Sequence, residues 1–134
     1  MDCIFCKIIK GEIPSHKIYG DEHTFAFLDI NPISNGHTLV IPKHHHENLL
    51  TASEEDTALV AKTVKKIANA VKKTFNADGV NILQANGTAA GQSVFHYHVH
   101  VVPRMENDGL HLWPPTKRIG HEAAQMAKAI NKNL

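Results

Sequence analysis

Residues Phe95 to Arg104 read FHYHVHVVPR, with His96, His98 and His100 at every second position. Phe95, Tyr97, Val99 and Val101 fill the alternate positions. Aromatic and β-branched residues at period two predict a strand over 94–102, closed by Pro103. Successive strand side chains point to opposite faces, so the three imidazoles stand in one row, roughly 6–7 Å apart stepwise. The other face is apolar and must pack on something. An unpaired buried imidazole is costly, so the row has to line a cleft, bind a metal or enter a hydrogen-bond network. The sheet that carries it is therefore covered on one side and offers imidazoles on the other.

The rest of the chain supplies such a sheet. CIFCKIIK (3–10) has the pattern of a short amphipathic helix ended by Gly11. KIYGDEHTFAFLDI reads as a hairpin, with strands near 16–20 and 23–29 turning at Gly20-Asp21, and HTLVIP (37–42) as an apolar strand. A long helix begins near Ser53. Thr51 and Ser53 are both N-cap candidates, and acids in the first turn suit the helix dipole. Val60, Val64, Ile67, Val71 and Phe75 recur at helical spacing, while Lys62, Lys65, Lys66, Lys72 and Lys73 lie elsewhere around the helix as a solvated face. Asn76 to Gly79 stops it. VNILQA (80–85) is a strand, NGTAAGQS (86–93) a polar loop, and residues 121–131 a final helix. One long helix with strands before and after it predicts an α+β fold: a mostly antiparallel meander of five strands with one long covering helix.

At 134 residues the chain is long enough for one domain with a hydrophobic core. Its net charge of +1 gives no support for nucleic-acid or membrane-surface binding. No apolar run approaches a spanning length, and the N-terminus lacks a signal peptide's apolar core, so the expected location is the cytoplasm. The two cysteines form a C-x-x-C, Cys3 and Cys6, at the extreme N-terminus. In a cytosolic chain that spacing favours metal binding over a structural disulfide, provided two more ligands are found.

The loop before the histidines adds chemistry. Gly87 and Gly91 let backbone N–H groups approach an anion, and Ser93 sits directly upstream of the imidazole row. There is no Gly-Lys-Ser/Thr, so this is not a P-loop. Loop and histidines together read as a phosphate site. A neutral imidazole attacks phosphorus readily, and His98, with a histidine to either side, is the candidate nucleophile. Its Nε2 lone pair is free only if a hydrogen bond holds the proton on Nδ1. His100 is placed to bond a non-bridging phosphate oxygen, and Ser93 the bridging atom.

GQSVFHYHVHVVPR resembles the signature of the histidine triad (HIT) family, His-φ-His-φ-His-φ-φ with φ apolar. CIFCKII, AFLDINPISNGHTLVIPK and the long helix follow the family in order, so one HIT domain is expected over 1–134, with the resemblance ending near residue 105. It implies a nucleotide-binding hydrolase of the Hint-like branch, acting as a homodimer whose two five-stranded sheets join. It also implies a purine nucleotide substrate and a covalent nucleotidyl-histidine intermediate on His98. His37 would be the fourth histidine. Asp29 would hold the ribose hydroxyls. Asn86, Gly91, Gln92 and Ser93 would line the phosphate side, and Ile4, Phe5 and Ile30 the base pocket. Relatives that transfer nucleotidyl groups carry glutamine at the third triad position, so His100 favours hydrolysis. Some bacterial-type members bind zinc in a manner that maps onto Cys3, Cys6, His45 and His96, a closed structural set with no open position. No catalytic metal is expected.

Two other readings compete. A zinc hydrolase with its metal on the triad would leave the GQS loop and Asp29 without a role. A nucleotide-binding regulatory module would share the same pocket with little turnover. The homodimer is expected to pair through residues 53–85, where VNILQA offers an edge strand and the helix carries more apolar surface than one small sheet needs.

Overall fold

The computed structural model describes residues 2–111 and 122–134. In chain order the elements are α1 (Ile4–Ile9), β1 (Lys17–Gly20), β2 (Thr24–Leu28), β3 (Thr38–Pro42), α2 (Glu54–Thr74), β4 (Gly79–Leu83), β5 (Val99–Arg104) and α3 (Ala123–Asn131), with a 3-10 turn at Thr88–Ala90. Among the described residues the strands form one antiparallel sheet in the order β1-β2-β3-β5-β4. The expected meander is thus broken once. After β3 the chain crosses through α2 to the far edge as β4, and β5 returns between β3 and β4. No described helix is long and apolar enough to cross a membrane.

Period-two patterning sorts the core into two layers. Ala26, Val40, Val99 and Val101 face α2 and pack with Val60, Val64, Ile67 and Val71. Phe25, Phe27, Leu39 and Ile41 face the other way, against Cys3, Phe5 and Ile8 at the N-terminus. Both faces of β2 and β3 are therefore covered, and α1 closes the side opposite α2. Ser53 is the N-cap of α2, its Oγ accepting the Asp56 N–H at 3.1 Å. Asn76, at φ 48, follows its C-terminus. Phe75 leaves the helix stripe and lies against Gly36, where an added Cβ would come within 2.3 Å of the ring. Gly36 also has φ +87, so this turn into β3, one residue before His37, admits only glycine comfortably.

The histidine strand differs from expectation. β5 starts at Val99 and includes Pro103. Residues 94–98 leave the ladder, and the Tyr97 N–H donates to the His46 carbonyl at 2.7 Å instead. Pro103 is tolerated because β3 pairs with β5 only as far as Val101, so no ladder donor is missed there. The side-chain alternation nevertheless survives. Tyr97, Val99 and Val101 face α2 while the histidines face α1. Phe95 is the exception, 40% exposed rather than in the core. VNILQA contributes Val80 to Leu83 to β4, with Gln84 and Ala85 outside it. α3 matches the final helix from Ala123 onward and buries no residue; 112–121 lie outside the described residues.

Candidate active site and metal centre

Four histidines meet where β3, β5 and the segment before β5 converge, and their hydrogen bonds determine where each proton sits. The His98 Nδ1 lies 2.7 Å from the His96 carbonyl, which can only accept, so Nδ1 carries the hydrogen and Nε2 keeps its lone pair. The Ile33 N–H donates to His37 Nδ1 at 3.2 Å, which puts the His37 proton on Nε2. That Nε2–H faces His100 Nδ1 at 2.9 Å, making His100 Nδ1 the acceptor and its Nε2 a donor. The His98 and His100 rings stand 5.0 Å apart, edge to face. Two separate sets of bonds therefore yield a nucleophilic nitrogen on His98 beside an N–H donor on His100.

Burial keeps these rings neutral. It pushes His98 and His37 below the ordinary histidine value, against the pull of the Asp29 carboxylate. His100 is pushed down to about 4, by burial first and then by His98 and His37. Neutral imidazole is the form a nucleophile needs.

The His98 and His100 rings open onto a cavity of about 340 Å³. Its apolar wall comes from Ile4, Phe5, Ile8, Phe27 and Leu39, with Ile30 at the rim, 80% exposed. Phe5 holds His98 in place edge-on at 5.2 Å. Asp29 lies at the polar end, its Oδ1 accepting the Asn31 N–H at 2.8 Å and its Oδ2 facing His37 at 3.5 Å. Ser93 and Val94 form the opposite lip.

Asn86, Gly91 and Gln92 do not line this cavity; they shape the loop beside it. Gln92 is 4% exposed. Its Oε1 accepts from Gly87 N–H at 2.7 Å and Asn48 Nδ2 at 3.3 Å, while its Nε2 donates to the Glu47 and Val94 carbonyls. The Asn86 Oδ1 accepts from the Leu49 N–H at 2.9 Å. Gly91 adopts the left-handed conformation, φ 93, that turns the loop toward Ser93. Asn48 had no mark in the sequence, because its partner Gln92 is distant along the chain.

Behind the cavity, the Cys3 and Cys6 Sγ and the His45 and His96 Nδ1 atoms all lie within 4.8 Å of one another. Cys3 and Cys6 Sγ are 3.4 and 3.6 Å from His96 Nδ1, and Cys6 Sγ is 3.5 Å from His45 Nδ1. A tetrahedral zinc with ordinary bond lengths sets nitrogen and sulfur about 3.5 Å apart. His96 Nε2 is 2.9 Å from the Pro42 carbonyl, so its proton is there and Nδ1 presents a lone pair to the thiols. Without a cation, burial and then Cys3 push the Cys6 thiol up. The donor set fits a structural zinc. The fold also separates His45 from His44 and His46, which the spacing alone leaves equivalent.

Asp29, His37 and His100 form a second cluster of donor atoms. The Ile33 N–H occupies His37 Nδ1 and so keeps a hydrogen on Nε2, the atom a metal would need. That cluster suits a hydrogen-bond relay, not a cation.

A family model described as the HIT domain matches residues 10–107. An adenylylsulfatase of Arabidopsis thaliana is 40% identical over 137 residues, covering 99% of this chain and 70% of the plant protein. An adenosine 5'-monophosphoramidase of Candida albicans is 44% identical over 118 residues, covering 84% of this chain and 78% of the other. The crystal structure of a zinc-bound histidine triad protein from Mycobacterium smegmatis superposes with a TM-score of 0.80 at 44% identity, covering 88% of this chain and 86% of that one.

Proposed function

The chain belongs to the HIT-domain family, and on that premise we propose that it is a nucleotidyl hydrolase that releases a purine nucleoside monophosphate through a covalent histidine intermediate. The observation that carries this reading is the 2.7 Å bond from His98 Nδ1–H to the His96 carbonyl, which leaves Nε2 unprotonated at the cavity wall. The base packs among Ile4, Phe5, Phe27 and Ile30, and the ribose hydroxyls donate to Asp29. His98 Nε2 attacks phosphorus and forms a P–N bond as the bond to the leaving group breaks. The His100 Nε2–H donates to a non-bridging oxygen, where charge develops. Ser93 donates its hydroxyl hydrogen bond to the departing atom, which takes up a proton from solvent as it leaves. Water then attacks the nucleotidyl group and gives one proton back to solvent, the P–N bond breaks and neutral His98 is regenerated. Asn86, Gly91 and Gln92 act by holding the Ser93 loop rather than by touching phosphate.

Zinc on Cys3, Cys6, His45 and His96 supplies structure only, pinning α1 and the segment before β5 to the sheet; no catalytic metal enters the scheme. The two relatives named for nucleotide hydrolysis support the reaction class, and the zinc-bound neighbour supports the metal. A homodimer is supported by the exposed Ile82 on edge strand β4, beside an apolar hollow of about 250 Å³ lined by Leu49, Val60, Val64, Tyr97 and Val99. Reduced metal-binding thiols fit a cytoplasmic location.

The test is a hydrolysis panel of nucleoside phosphoramidates, adenylylated amines and dinucleoside polyphosphates, each in adenine and guanine form, with and without chelator. Turnover of at least one class that survives chelation is expected. Tight nucleotide binding without turnover of any member would reduce the chain to a binding module. Immediate loss of activity on chelation would favour metal catalysis.

A further inference from the structure

His44, His45 and His46 are consecutive, yet the fold uses them oppositely. His44 Nδ1 and His46 Nε2 both lie against one oxygen, Asp56 Oδ2, at 3.1 and 2.7 Å. His45, between them, points the other way, with its Nδ1 3.5 Å from Cys6 Sγ. Asp56 is 5% exposed and sits in the first turn of α2. The carboxylate is therefore a rigid anchor delivered by the long helix. The loop it grips is tied elsewhere by the Lys43 N–H to the His23 carbonyl and by the Tyr97 N–H to the His46 carbonyl, each at 2.7 Å.

Released from Asp56, three adjacent imidazoles would offer themselves to a metal on nearly equal terms. With both neighbours bound to one oxygen, only His45 is available, and its ring is already turned toward the thiols. From this geometry we propose that Asp56 is the positioning residue of the Cys3–Cys6–His45–His96 centre, selecting His45 over its neighbours and setting the metal affinity. The inference rests on the metal reading above. Carboxylates that orient metal-ligating histidines commonly act through a direct bond to the ligand; here the bond is to the residues on either side.

Zinc affinity is measured by competition with a chromophoric chelator on wild type, Asp56→Asn and Ser53→Ala. Ser53→Ala weakens the same helix turn without touching any histidine. Asp56→Asn should raise the zinc Kd roughly tenfold to a hundredfold and displace the absorption bands of the cobalt-substituted form, while Ser53→Ala leaves the Kd unchanged. Wild-type affinity in Asp56→Asn overturns the inference and leaves the metal site standing. A wild type that takes up no zinc overturns the metal reading itself. Equal loss in Ser53→Ala assigns the effect to helix stability and also overturns the inference. Should Asp56→Asn not fold, Asp56→Glu, which keeps the charge but displaces the carboxylate from both rings, carries the same test: loss of affinity supports the clamp, and unchanged affinity refutes it.

Discussion

Acid should unfold this chain through a buried imidazole, and the size of the effect follows from where His100 sits. Burial, then His98 and His37, bring it to about 4, against an ordinary histidine value of about 6.5. Between those limits the unfolded chain binds a proton that the folded chain does not. Stability contributed by neutral His100 is thus complete above 6.5 and is lost as pH falls toward 4. Integrating that single linkage from pH 7 to pH 5 gives a loss of about 2 kcal/mol. The side chain is 29% exposed, too little for solvent to remove most of this. The assay is urea denaturation of zinc-depleted protein at both pH values, for wild type and for His100→Asn. Wild type should lose about 1–2 kcal/mol more than the variant between the two. Equal losses would mean that His100 is not held neutral, and the His37–His100 bond would go with it.

Three further outcomes follow from the same geometry. His37→Ala removes the N–H donated to His100 and should lower kcat about tenfold, the worth of one hydrogen bond, with KM nearly unchanged in steady-state assays. Cys3→Ser/Cys6→Ser should abolish zinc uptake by metal analysis and lower Tm by several degrees; a zinc-free wild type, purified without chelator and resupplied, would remove the site. Light scattering at micromolar concentration should report a dimer for wild type and a monomer for Ile82→Asp, whereas a monomeric wild type would refute the proposed interface.

Local patterns made much of this fold legible. The alternation through β2, β3 and the histidine segment, and the stripe Val60, Val64, Ile67, Val71, correspond directly to buried faces. Alternation says which side a residue faces, but not where a ladder begins. Residues 94–98 keep the parity of a strand while their backbone bonds elsewhere, so β5 starts at Val99. Pro103 reads as a stop only if the strand its nitrogen faces needs an N–H there, and β3 ends before reaching it. At the site, the histidines and Asp29 were visible by motif. Asp56 was not: as an acid in the first helical turn it had a sufficient local explanation, and its two partners become visible only in three dimensions. The partners of Gln92 are hidden for a related reason, since its amide is engaged by four groups of the protein itself that lie apart from it in the sequence or in the loop's fold.

The central claim is a bond from His98 Nε2 to phosphorus, and intact-mass spectrometry of a rapidly quenched reaction tests it most directly. With an adenosine phosphoramidate in excess, the account predicts a transient species heavier by AMP less water, mapped by peptide analysis to His98 and missing from His98→Ala, which should still bind nucleotide. Turnover by His98→Ala at a near-normal rate, or an adduct on any other residue, would contradict it.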